Sequence, residues 1–212
     1  PNLWGLYASA NPGPGFGKYL FKDNSGFPIM TYAELQFIKA EAAFRDGNPG
    51  LALTAYQNGI SASIDFVSAL GPVITPAAKT AYMTSASVKQ TAATLTLSDI
   101  MLQKYIAMGC SIENWNDMRR FNYSAGNIGS FGVVYPGYDR GPLFTGTAEL
   151  TGASKTDPKY WMRRWRLPAT LELQYNTTNA LAINPHVNQL FIWSIPVWWD
   201  CATDQEYDGY LQ

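Results

Sequence analysis

Thr31-Tyr32-Ala33-Glu34-Leu35-Gln36-Phe37-Ile38-Lys39-Ala40-Glu41-Ala42 decides the fold of this chain. Thr31 followed three residues later by Glu34 is a capping-box signature, in which the hydroxyl satisfies an orphan backbone N–H and the carboxylate reaches back to the cap. Strong helix formers then run on to a stop at Gly47. Asn48 reads as an N-cap with Pro49 at the first helical position, which restarts a helix to about Phe66. A helical hairpin follows. In its first helix Ala33, Phe37, Ala40 and Phe44 line one stripe while Leu35, Ile38 and Ala42 line another, so cover is expected on two sides. In its second helix Ala52, Ala55, Tyr56, Gly59, Ile60 and Ser63 include small residues that let backbones approach closely.

Beyond this hairpin, Pro72 and Pro76 interrupt a Thr-, Ser- and Ala-rich connection that holds one short helix at about Ala77 to Ser85. A second hairpin begins with Leu97 to Met108, carrying Ile100, Met101, Tyr105 and Met108. Ser111 caps its other arm, which runs through Arg120 with Glu113 in the first turn. Each hairpin resembles a tetratricopeptide repeat, and stacked repeats need about three or more neighbours to close a core. An upstream segment of the same protein, or another chain, is therefore expected to complete this one. After Phe121 turns dominate: Tyr135-Pro136-Gly137-Tyr138-Asp139-Arg140-Gly141-Pro142 suits neither regular helix nor central strand. The expected fold is mainly α, with tetratricopeptide-like hairpins and a loop-rich C-terminal part containing short strands. Residues 1–212 form one domain or the C-terminal portion of a larger one, with 31–120 as scaffold and 121–212 packed on it.

Composition narrows the function. The 212 residues are 47% hydrophobic, ample for a core, and the formal net charge of −1 gives no field that recruits nucleic acid or an anionic membrane. No nucleic-acid partner is expected. Cys110 and Cys201 lack metal-type spacing and leave open whether they pair, and the lone histidine, His186, reads as structural or exposed. Asp204 to Gly209 is acidic but lacks the spacing of a calcium loop. Neither a metal nor a cofactor is expected. No run reaches the ~20 apolar residues that cross a bilayer. The chain starts at Pro1 without a basic n-region or an h-region, so an export signal or lipid attachment site is expected upstream or removed.

Glu113, Asp117, Arg119 and Arg120 offer carboxylates beside arginines, a combination that supports acid–base work. Glu113, Asp117 and Arg120 also share one helical face, where an arginine network linking helices is the ordinary outcome, with Arg163 and Arg164 as expected long-range partners. Glu34 and Glu41 are the best glycosidase pair, but seven residues of helix separate their backbones by about 10 Å. Retaining enzymes need carboxyl groups at about 5 Å and inverting ones at about 6.5–9.5 Å. Arg45, four residues after Glu41, supplies an ion-pair role instead. With seven Trp and thirteen Tyr, the chain is rich in flat amphipathic rings. Ligand contacts are expected from rings on loops: Trp4, Tyr7, Phe16, Tyr19, Tyr135 and Tyr138.

Taken in order, Thr31 to Ala42, the Gly47-Asn48-Pro49 break, Tyr56 to Ser61, Gln103-Lys104-Tyr105-Ile106-Ala107, Glu113 to Arg120, Arg163-Arg164-Trp165-Arg166-Leu167-Pro168 with Glu172 and Asn176, and the closing Pro196-Val197-Trp198-Trp199-Asp200 resemble the C-terminal part of SusD/RagB-like outer-membrane nutrient-binding lipoproteins. The resemblance implies a helical scaffold whose outlying loops hold an oligosaccharide or peptide without catalysis. It also implies a SusC-type TonB-dependent outer-membrane barrel as partner, and a place at the cell surface by a lipid anchor in a segment not in this chain. A helical-repeat adaptor for protein segments is the rival reading, and a surface glycoside hydrolase a further one.

Overall fold

The computed structural model describes residues 26, 28–70, 73–109, 111–123, 132–138, 162–168 and 170–211. They belong to two compact units, Pro1–Phe121 with Gly126–Pro136, and Asn122–Ala125 with Gly137–Gln212. The described residues are mainly helical, as the sequence leads one to expect.

In the first unit α1 (Tyr32–Arg45) starts where Thr31 Oγ1 accepts the Glu34 N–H at 3.1 Å. Gly47, at φ +74°, turns the chain, and Asn48 Oδ1 accepts from Leu51 N–H at 3.1 Å to open α2 (Pro49–Leu70). This is the expected hairpin, with α2 running one turn beyond Phe66. Then come α3 (Pro76–Met83), α4 (Leu97–Met108) and α5 (Ile112–Arg120). Thr96 and Asp99 cap α4 reciprocally, and Ser111 Oγ takes the Glu113 N–H of α5. α4 packs on both arms of the first hairpin, α3 on α2, and α5 on α4.

The core centres on Phe37 and Tyr56, both fully buried, whose rings meet edge to face at 6.5 Å. Burial, first of all, pushes the Tyr56 phenol up to about 12, so it stays neutral while its oxygen accepts the Lys89 N–H at 3.3 Å. Ala52, Ala55, Ile60, Ile100 and Met101 fill the space around these rings. One expectation needs correction. Leu35 and Ile38 are 48% and 40% exposed and Ala42 is exposed, so the second apolar stripe of α1 is not covered here. The side chains buried beside the Phe37 stripe are instead polar: Glu34, Gln36 and Glu41.

In the second unit α6 (Glu172–Tyr175) and α7 (Thr177–Ile183) are followed by 3-10 turns at Leu190–Ser194 and Trp198–Asp200 and then by α8 (Asp204–Gly209). The short strands expected here do not occur among the described residues. Where 162–168 runs without helix, the amides of Arg163 and Arg164 both donate to the single carbonyl of Trp193, at 2.8 and 3.2 Å. Two donors converging on one acceptor cannot make a ladder. Val187, Ile192, Ile195 and Pro196 form the buried centre.

Gly59 tests the packing of the first hairpin. A Cβ there would lie 3.0 Å from the Phe37 ring, which has no room to withdraw. Helix propensity alone favours Gly59→Ala by about 1 kcal/mol, whereas forcing an extra carbon into a packed core costs about 1–3 kcal/mol. Gly59→Ala is expected to destabilise the protein by about 1 kcal/mol in urea unfolding, and a gain in stability would refute this packing.

Candidate functional site

The polar centre of the first unit is built on α1, α4 and α5. Arg120, at the end of α5, donates from both terminal nitrogens to the two oxygens of Glu41 on α1, at 2.6 and 2.5 Å. Arg45, one turn after Glu41, donates its Nε to the same carboxylate at 2.9 Å. The Nε of Arg120 reaches Asp117 Oδ1 at 2.9 Å, and Lys104 Nζ of α4 lies 2.7 Å from Asp117 Oδ2. That last contact is an ion pair without hydrogen-bond alignment, since Oδ2 has no hydrogen-bond donor. The guanidinium groups of Arg120 and Arg45 also lie 4.3 and 5.4 Å from the ring centre of Phe121.

Burial by itself raises the Glu41 pKa. The Arg120 hydrogen bonds outweigh it, joined by the charges of Arg120, Arg45 and Lys104, and hold the carboxyl below its ordinary 4.5. A general acid at neutral pH needs the opposite shift. Glu41 is therefore a clamp for two arginines, held as the carboxylate and so not a general acid at neutral pH.

The other residues singled out from sequence are placed as follows. Glu113 is exposed at the start of α5 and accepts from Asn116 Nδ2 at 3.2 Å, while the Arg119 guanidinium lies 5.2 Å from the Trp115 ring centre. Arg163 pairs within its own unit, giving its Nε to Asp200 Oδ2 at 2.9 Å and a terminal nitrogen to the Asp200 carbonyl at 3.1 Å. Asp117 in the first unit has Lys104 and Arg120 as its partners. Arg164 contributes its backbone amide to the Trp193 carbonyl.

Trp4, Tyr7, Phe16 and Tyr19 lie outside the described residues. Tyr135 is 5% exposed, edge to face with Phe121 at 6.3 Å, so it offers no ring face to a ligand. Burial, reinforced by Asp117, pushes its phenol well above the ordinary range. Tyr138 is half-buried and stacks on Tyr123 at 6.1 Å, while the Tyr123 hydroxyl donates to the Met162 carbonyl at 2.5 Å. Rings that the sequence reading passed over are open to solvent. Trp198 and Trp199 are 64% and 69% exposed and meet at 88°, and Tyr32, at the first position of α1, is 63% exposed.

The larger cleft, about 430 Å³, lies between α2, α3 and α4 and is walled by Ile60, Ile64, Val67 and Ile106, with Tyr82 and Gln103 hydrogen-bonded to each other at 3.2 Å. Among the described residues no group of three or more His, Cys, Asp or Glu side chains is placed to hold a metal.

Residues 14–127, more than half of the chain, match the SusD-like family, described as starch-binding and associating with the outer membrane. The chain belongs to the SusD-like family. The match takes in both hairpins and both sides of the Glu41–Arg120 clamp, so the polar centre lies within the family's own segment. No curated protein and no solved structure matches this SusD-like chain. No helix among its described residues is long and apolar enough to cross a membrane.

Two outcomes follow from the clamp. Asp117→Asn leaves Lys104, 5% exposed, without its charge partner, and is expected to cost about 3 kcal/mol in urea unfolding, whereas Glu113→Gln at the exposed helix start stays within about 0.5 kcal/mol. Equal losses would contradict the assignment. Because the folded Glu41 pKa is depressed, its contribution is complete above about pH 4.5 and is lost as pH falls through the depressed value. Acid titration of stability is expected to flatten below pH 4.5 in Glu41→Gln relative to the parent, and coincident slopes would rule Glu41 out as the titrating group.

Proposed function

We propose that this SusD-like protein captures starch-type oligosaccharides at the cell surface and hands them, unmodified, to a SusC-type TonB-dependent outer-membrane barrel. The observation that carries the reading is the family match over both hairpins, taken with a Glu41 that is committed to arginines. Glycan is preferred to peptide because the matched family is described as starch-binding. In this reading the α1–α2 and α4–α5 hairpins act as a tetratricopeptide-like frame, and rings outside the frame stack on pyranose faces while their polar edges and neighbours bond the hydroxyls. Trp4, Tyr7, Phe16, Tyr19 and Tyr138 are retained as contact candidates, and Tyr135 is dropped for its burial.

Capture without turnover is what a carrier requires. A lid on a barrel must exclude solvent and open repeatedly, so the interface with the barrel is large and the protein is held at the membrane by a lipid anchor. The adaptor alternative needs a groove lined by Asn, Lys and Arg. The larger cleft is walled chiefly by aliphatic side chains, with Lys79 as its cation, and does not favour that alternative.

Calorimetric titration with maltoheptaose is expected to show saturable binding, and prolonged incubation to release no new reducing ends. Reproducible hydrolysis that disappears in Glu34→Gln or Glu113→Gln would overturn the non-catalytic reading. Purification from native outer membranes is expected to bring a TonB-dependent barrel with it, and its consistent absence would remove the delivery step.

A further inference from the structure

A second, smaller cleft of about 410 Å³ lies at the open end of the first hairpin, lined by Tyr32, Asn58, Ser61, Ala62 and Asp65. It is shallow and open to solvent, a surface one sugar ring can cover. We infer that this cleft is a subsite for one neutral pyranose of the glycan, with Tyr32 as the stacking ring and Asn58, Ser61 and Asp65 as hydroxyl partners. The assignment rests on the glycan-binding reading and adds to it a place.

The sequence makes the cleft in a simple way. Asn58, Ser61, Ala62 and Asp65 recur at the spacing of one face of α2, so three polar side chains stand in a row. Ala62, among them, has no bulk with which to fill the floor. Across from this face Tyr32 opens α1, and the fold-back of the hairpin brings the first residue of α1 level with this part of α2. The ring is 63% exposed, so a face remains for a ligand. Pyranose rings bind flat aromatic faces through their apolar C–H surface and use nearby polar groups for the hydroxyls.

Asp65 is fixed before any ligand arrives. Lys79 Nζ of α3 contacts both of its oxygens, at 2.6 and 2.7 Å. Each carboxylate oxygen has two lone pairs, so each retains one that accepts an O–H from a ligand. Two oxygens on one rigid carboxylate match the spacing of hydroxyls on adjacent ring carbons. Asn58 adds two donors and one acceptor, and Ser61 a hydroxyl that does either. The Lys79–Asp65 pair sums to zero charge, so the cleft supplies no excess positive field to draw in an acidic sugar. Neutral glucan is the substrate class that fits, and uronic-acid polymers are not.

The test compares the intact protein with Tyr32→Ala, Tyr32→Phe, Asn58→Ala and Trp198→Ala, each titrated calorimetrically with maltoheptaose and with trigalacturonate. All three positions are exposed, so unfolding midpoints are expected to match the parent. Loss of a stacking ring is expected to weaken maltoheptaose binding about tenfold in Tyr32→Ala, with Tyr32→Phe close to the parent. Asn58→Ala is expected to weaken it several-fold, and Trp198→Ala to leave it unchanged. If the parent binds maltoheptaose and Tyr32→Ala and Asn58→Ala bind it equally well, the subsite is refuted while the proposed function stands. If the parent binds no neutral glucan, both are refuted. Trigalacturonate binding as tight as maltoheptaose binding overturns the substrate class.

Discussion

One guanidinium group, that of Arg120, determines how the helices of the first unit are held. It grips both oxygens of Glu41 on α1 and reaches Asp117 on its own helix, while Lys104 on α4 takes the other oxygen of Asp117. Three helices thus meet at a polar centre that is buried at Glu41, Lys104 and Asp117 and open to solvent at Arg120. Such centres add little net stability because removing charge from water is costly, yet losing one member leaves a charge stranded and costs far more. What the centre adds is direction. Apolar faces built from Ala52, Ala55 and their neighbours tolerate small slides, whereas a planar fork on a carboxylate fits in one arrangement. The same commitment keeps Glu41 ionised and engaged by two arginines.

The helices were legible because their ends are written locally. Thr31, Gly47, Asn48 with Pro49, and Ser111 satisfy or terminate backbone hydrogen bonds within a few residues, so their chemistry needs no knowledge of the rest of the chain. The reciprocal box of Thr96 and Asp99 is equally local but harder to recognise, since Asp stands where the familiar pattern has Glu or Gln. Partners of charged residues were less accessible. Asp117 and Arg120 three residues apart are visible from helical spacing, but Glu41 lies 79 residues from Arg120, and nothing local distinguishes it from Asp200, which holds Arg163. Burial of Glu34, Gln36 and Glu41 in place of Leu35 and Ile38 likewise depends on where α4 and α5 come to rest.

Surfaces were the least legible part. Looking for ligand-facing rings in loops selected Tyr135, whose ring closes against Phe121, and passed over Tyr32, because a helix start reads as scaffold. Exposure of a ring is decided by what packs against it, and sequence records the ring without recording the neighbour. The row of Asn58, Ser61 and Asp65 shows the converse. Its periodicity was in the sequence, but a polar helical face is the usual outcome for a solvated helix, and only the position of Tyr32 turns it into a cleft.

The long span between Glu41 and Arg120 also bears on how the chain reaches its native state. Both hairpins close over short turns and assemble from near neighbours, which is fast, whereas bringing ends 79 residues apart together carries a closure entropy of about 4 kcal/mol. Contacts of that span are made late. On closure cost alone, the hairpins are expected to form before they dock, with the arginine fork as the last contact to latch.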